Sequence, residues 1–146
     1  MSKKKLVLIR HAHRKVPKDR TEDNGLSKKG LRQVEKLLSY WSNAEKAGRV
    51  VFLSSPKKRC VQTIAPLAEI FGEKLSIDPL LDEQKQKGES NKDFSGRVKA
   101  FLETSKSGQA ETVFICSHAD WIPAAYDKVK HKSVRVKKGS WVEVEL

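Results

Sequence analysis

Leu6-Val7-Leu8-Ile9 runs directly into Arg10-His11-Ala12. A short, uninterrupted apolar run reads as a strand buried on both faces. Its abrupt stop places a fixed cation beside an imidazole at the strand's C-terminal end, where open parallel sheets hold their ligands. Two later segments repeat the pattern. Val50-Val51-Phe52-Leu53 leads into Ser54-Ser55-Pro56-Lys57-Lys58-Arg59, and Val113-Phe114-Ile115-Cys116 leads into Ser117-His118-Ala119. Three strand ends thus deliver two arginines and two histidines. Guanidinium forks match the oxygens of a dianionic phosphoryl group, and imidazole is either a donor or a nucleophile toward it.

Between the strands the apolar period changes. Leu31, Val34, Leu37, Leu38 and Trp41 recur at helical spacing behind Ser27, a suitable N-cap, with Gly48 as the expected end of that helix. Pro56 is expected at the start of a second helix that carries Arg59 near its N-terminus. Its stripe is Val61, Ile64, Leu67, Ala68 and Phe71, and Gly72 closes it. A short strand is predicted at Leu75 to Ile77 and an exposed polar loop from Asp82 to Lys92. Phe94, Val98, Phe101 and Leu102 mark a third helix, a short helix follows Asp120, and Ser140 to Leu146 suits a terminal edge strand. This alternation predicts an α/β fold, a three-layer α/β/α sandwich with a mostly parallel central sheet. At 146 residues the chain is one domain, 1–146, with one core.

The chain is 38% hydrophobic, with a mean hydropathy of −0.59. Its apolar runs are strand-sized, so no membrane partner is expected. Met1-Ser2-Lys3-Lys4-Lys5 before Leu6 is charged like the start of a secretory signal, but the apolar part is too short and Arg10-His11 interrupts it. Cys60 and Cys116 read as small core residues without a disulfide, and the glycine loop and following arginine of a cysteine phosphatase are missing. A reduced, cytoplasmic protein is the expectation. The formal charge of +12 favours anionic partners. Its bland reading is a solvated lysine-rich surface. Nucleic acid is disfavoured as a partner, because aromatics are 7% of residues and fall at core spacings.

Arg10-His11-Ala12 after a strand, Leu26-Ser27 with Gly30 and Gln33, Ser54-Ser55-Pro56 leading to Arg59 with Gln62-Thr63, and Ser117-His118 after another strand together resemble the histidine phosphatase superfamily, also called phosphoglycerate-mutase-like. The resemblance spans nearly the whole chain in order. It implies a phosphoglycerate-mutase-like fold in which His11 is the nucleophile and becomes phosphorylated. Arg10, Arg59 and His118 would bind the phosphoryl oxygens, with no metal or other cofactor. Glu83 stands where the resemblance puts a proton donor, with Asp82 and Glu89 as rivals. Two departures stand out. Ala12 replaces the usual glycine, which disfavours positive φ there, and His13-Arg14-Lys15 add positive charge, either to recruit a further anion or merely as solvated loop residues.

The short interval between Arg59 and His118 leaves no room for a large cap insertion, as in the compact branch that includes SixA-type phosphohistidine phosphatases. The expected activity is a metal-independent phosphatase working through a phosphohistidine intermediate on phosphoprotein, phosphohistidine above all. A small-molecule phosphomonoesterase or mutase is the enzymatic alternative. A non-catalytic basic module that holds phosphate or nucleic acid is the alternative of another class.

Overall fold

Strand β1 (Lys5–Arg10) forms the middle of the molecule because Leu6, Val7, Leu8 and Ile9 are all buried, and only a strand with neighbours on both sides and layers on both faces satisfies four consecutive apolar side chains. The computed structural model describes residues 4–19, 21–44 and 48–146, so Met1-Ser2-Lys3 of the charged start lies outside it. The other strands are β2 (Val50–Ser54), β3 (Leu75–Ile77), β4 (Thr112–Ser117) and β5 (Trp141–Glu145), in the sheet order β3-β2-β4-β1-β5. All pairings are parallel except that of β5, which runs antiparallel along β1 as an edge.

Helices α1 (Lys28–Ser42), α2 (Lys58–Ile70), α3 (Asn91–Ser107) and α4 (Trp121–Lys130) complete the expected sandwich. Alternation along the strands sorts the core into two faces. Leu6, Leu8, Val113 and Ile115 meet Phe94, Val98, Phe101 and Trp121 on one side. Val7, Ile9, Phe52 and Phe114 meet Leu37, Trp41, Ile64 and Leu67 on the other. Among the described residues no helix is long and apolar enough to cross a membrane.

Four local expectations need correction. Leu31 is 54% exposed, because the stripe of α1 follows Val34, Leu37 and Trp41 and leaves Leu31 on the flank. That helix ends at Ser42 with Asn43 as its C-cap, well before Gly48, which instead makes a turn at φ 74°. Pro56 precedes α2, whose N-cap is Lys57, while Pro66 lies inside the helix. The Asp82–Lys92 stretch is not uniformly exposed: Glu89 is tied to Arg97, and α3 already begins at Asn91.

Candidate active site

The register levels the C-terminal ends of the three central strands. Arg10 pairs with Ser117 and Ser54 with Cys116, the His11 N–H donates to the Ser117 carbonyl at 3.1 Å, and the Ser55 N–H donates to the Cys116 carbonyl at 3.0 Å. His11, Ser55 and His118 are therefore neighbours although they come from three distant parts of the chain. All three are buried.

The His11 ring is oriented by its own chain. Nδ1 lies 2.9 Å from the Ala12 carbonyl, which can only accept, so Nδ1 carries the proton and Nε2 keeps its lone pair. Burial, with the charges of Arg59, Arg10 and Lys138, pushes its pKa down to about 4 despite the opposing Ala12 bond. At neutral pH this is an uncharged imidazole with a free Nε2. Ala12 has no positive φ, is fully buried against Leu26 and Val34, and donates its N–H to Thr63 Oγ1 at 2.9 Å; a methyl group fits where the resemblance expects glycine.

Arg59 sits in the first turn of α2, where unpaired backbone N–H groups and the helix dipole also favour anions. It is 4% exposed, and its NH2 group donates to Glu83 Oε2 at 2.9 Å. His118 lies 5.4 Å from His11, ring centre to ring centre. Ser55 Oγ accepts from the Lys57 N–H at 3.3 Å and lies 2.8 Å from His118 Nε2, a hydrogen bond that ties the ring to the end of β2. The other ring nitrogen is Nδ1. It is buried without a hydrogen-bond partner among the described residues and faces Glu83 Oε2 at 3.8 Å. Burial and the charges of Arg59, Lys57 and Arg14 push the His118 pKa down to about 2, so its proximity to Asp82 and Glu83 is not an ion pair. This neutral ring presents one N–H donor.

Arg10 is anchored through NH1 to the Val136 carbonyl at 3.0 Å, and it lines a cavity of about 450 Å³ beside Ala119 and Arg135. Its charge acts on His11, although its guanidinium is held from the side of the 131–140 loop. The three carboxylates separate by geometry. Glu83 touches Arg59. Asp82 lies 3.6 Å from His118 Nε2 and 3.5 Å from Lys57 Nζ, and it accepts the Glu83 N–H. Glu89 grips Arg97 with both oxygens, a bidentate pair that holds its pKa near 2 and commits it to the loop's structure. Among the described residues no group of three or more histidines, cysteines or acids is placed to hold a metal ion.

Several supporting residues had no assigned role in the sequence. Thr63 relays between the Arg59 carbonyl and the Ala12 N–H, and Gln62 accepts from Leu26 N–H. Gln33 accepts from the His13 N–H, and His13 Nδ1 meets the Ser27 cap at 2.7 Å. Gly139 donates to the carbonyls of Arg10 and His11, bringing Lys138 over the site. Lys137-Lys138-Gly139 before a terminal strand was a visible turn signal. Its meaning depended on which neighbour β5 chose, since antiparallel pairing with β1 places the residues before β5 beside those after β1.

The model of the histidine phosphatase superfamily (branch 1) matches residues 6–86. No curated protein matches the sequence. Among solved structures, a phosphoglycerate mutase from Bacillus anthracis superposes with a TM-score of 0.81 at 14% identity, covering 99% of this chain and 88% of that one. A mycobacterial glucosyl-3-phosphoglycerate phosphatase bound to VO3 gives 0.76 at 16%, covering 96% and 90%. A protein assigned as the phosphohistidine phosphatase SixA from Agrobacterium tumefaciens gives 0.65 at 18%, covering 86% and 76%. At such identities the likeness concerns the fold.

Proposed function

The chain belongs to the histidine phosphatase superfamily, and from that premise we propose that it is a metal-independent phosphatase with His11 as nucleophile, acting on phosphoprotein and on phosphohistidine in particular. The observation that carries this reading is the Nδ1–Ala12 contact, which leaves a neutral His11 with Nε2 available beside Arg59, Arg10 and His118. Nε2 attacks phosphorus while the bond to the leaving group breaks, and the leaving atom takes a proton from Glu83. Water then attacks the phosphorus of the phosphohistidine and gives its proton to the Glu83 carboxylate as the P–N bond breaks, its electron pair returning to His11 Nε2, and inorganic phosphate departs. Arg59, Arg10 and His118 offset the charge that builds on the equatorial oxygens, the task a metal performs in other phosphatases.

The whole chain, 1–146, serves as one catalytic domain without a large cap, and its open mouth suits a macromolecular substrate. A small phosphate ester is the second reading. It is favoured by one contact: Glu83 against Arg59 sets a carboxyl group beside the phosphoryl pocket, where it can serve an oxygen leaving group that needs a proton donor once the substrate's phosphoryl group takes over Arg59; a labile P–N bond needs that donor less. The test is turnover of an aryl phosphate in excess chelator, vanadate inhibition, and an acid-labile phosphoenzyme that His11→Ala abolishes. Activity that vanishes with chelator and returns with magnesium or zinc overturns the reading, as does an acid-stable phosphoenzyme. Glu83→Gln then separates the substrate classes, because it slows an alkyl phosphate far more than a phosphohistidine protein.

A further inference from the structure

From Arg59 and Glu83 a trough of about 380 Å³ opens between the loop around Thr21-Glu22 and the loop from Asp82 to Lys87. If Glu83 protonates the leaving atom, the leaving group must lie on Glu83's side of the phosphoryl pocket, which is this trough. Two of its cations are matched by its own acids, while Glu22 keeps its charge. Glu83 pairs with Arg59, Asp82 lies against Lys57, and the Glu22 carboxylate accepts the backbone N–H of Lys18. Lys85 and Lys87 also line it and are exposed; the charge of Lys85 also reaches Glu89, which is itself gripped by Arg97. Arg14 adds to the same side, fixed through NH1 to the Glu22 carbonyl at 3.1 Å. The positive charge in and beside the trough therefore exceeds what its own acids neutralise.

We propose that this trough is a recognition subsite for an anionic group carried by the leaving group, with Lys85 and Lys87 as specificity-determining side chains. It rests on the phosphatase reading and names the substrate class within it: a phosphorylated residue flanked by aspartate or glutamate side chains. A carboxylate borne by a small phosphate ester would offer the same chemistry. Two exposed lysines facing a partly desolvated anion strengthen binding by about three- to tenfold, and salt weakens the effect.

The experiment compares kcat/KM for two matched pairs. One is a phosphopeptide with aspartates beside the phosphorylated residue against the same peptide with asparagines, and the other is a small phosphate ester bearing a carboxylate against its amide. The intact protein should prefer the acidic peptide by about three- to tenfold, with the preference shrinking as salt rises. Lys85→Gln/Lys87→Gln should bring the ratio toward one. Lys99→Gln/Lys106→Gln, an equal change of charge on α3 away from the trough, should leave it in place. A preference confined to the small ester overturns the protein source and keeps the subsite for a small anion. Ratios near one for both pairs overturn the subsite while turnover upholds the phosphatase, as does a preference that ignores Lys85 and Lys87. Absence of phosphate release from every member overturns the phosphatase reading and the subsite with it.

Discussion

His11 and His118 are neutral for the same reason, burial among cations, yet their rings are held in different ways. His11 has its proton fixed on Nδ1 by the Ala12 carbonyl, and His118 is held through Nε2 by Ser55 while its Nδ1 has no hydrogen-bond partner among the described residues. His11→Ala should therefore lower kcat/KM by several orders of magnitude with an unchanged circular dichroism spectrum. Arg59→Ala and His118→Ala should each cost roughly two to three orders, measured on the same substrate, as expected for removal of donors to a developing charge. A proton NMR titration should place the His11 imidazole near pH 4, below the ordinary 6.5. Vanadate should raise the His118 value, since a bound anion offsets the cations that depress it. The strand-end residues Arg10, His11, Arg59 and His118 were legible in the sequence because each follows a strand or opens a helix. Ser55 and Thr63 were visible only as motif members. Their roles depend on hydrogen bonds across more than fifty residues of chain, which no local pattern encodes.

At the scale of elements, α1 does more than cover the sheet. Its cap, Ser27, accepts from the Gly30 N–H at 3.1 Å and also meets His13, so helix start and site loop are tied together. Ser27→Ala should reduce stability by about 1 kcal/mol in chemical denaturation, the usual worth of an N-cap. Gly30 has a stricter role: a Cβ there would lie 2.0 Å from the His13 carbonyl oxygen. Gly30→Ala should thus cost more than the cap, about 2 kcal/mol or more, and weaken activity by displacing the loop after His11. The helices were readable from spacing wherever the stripe was dense, as with Phe94, Val98, Phe101 and Leu102. Leu31 misled because an isolated leucine at helical spacing says nothing about the angle at which the helix meets its sheet. The early end of α1 was equally hidden, since Asn43 is a weaker stop signal than the glycine beyond it.

For the molecule as a whole, acid should be the vulnerable direction. His11 and His118 have folded pKa values below the unfolded 6.5, so the unfolded chain takes up protons first and stability falls as pH drops from about 6.5 toward 4 and then 2. Glu89, near 2 when folded against 4.5 otherwise, loses its contribution over a lower range in the same direction. Denaturation midpoints should stay level from pH 8 to about pH 7 and decline from there to pH 4, and added vanadate should restore part of that loss. The layered, mostly parallel arrangement was legible from the alternation of elements, whereas the seating of β5 against β1 was not, because pairing between chain ends leaves no periodic trace. The sheet order also has a kinetic side. β1 lies between β4 and β5, more than a hundred residues away in sequence, so the ledge that carries His11 beside His118 closes only when the first segment to be synthesised meets nearly the last. Loop closure of that span is slow, and helices α1 and α2 are free to form before it. In a refolding experiment helical signal should return early while turnover waits for the final phase, and a nascent chain still lacking β4 should be silent toward phosphate esters.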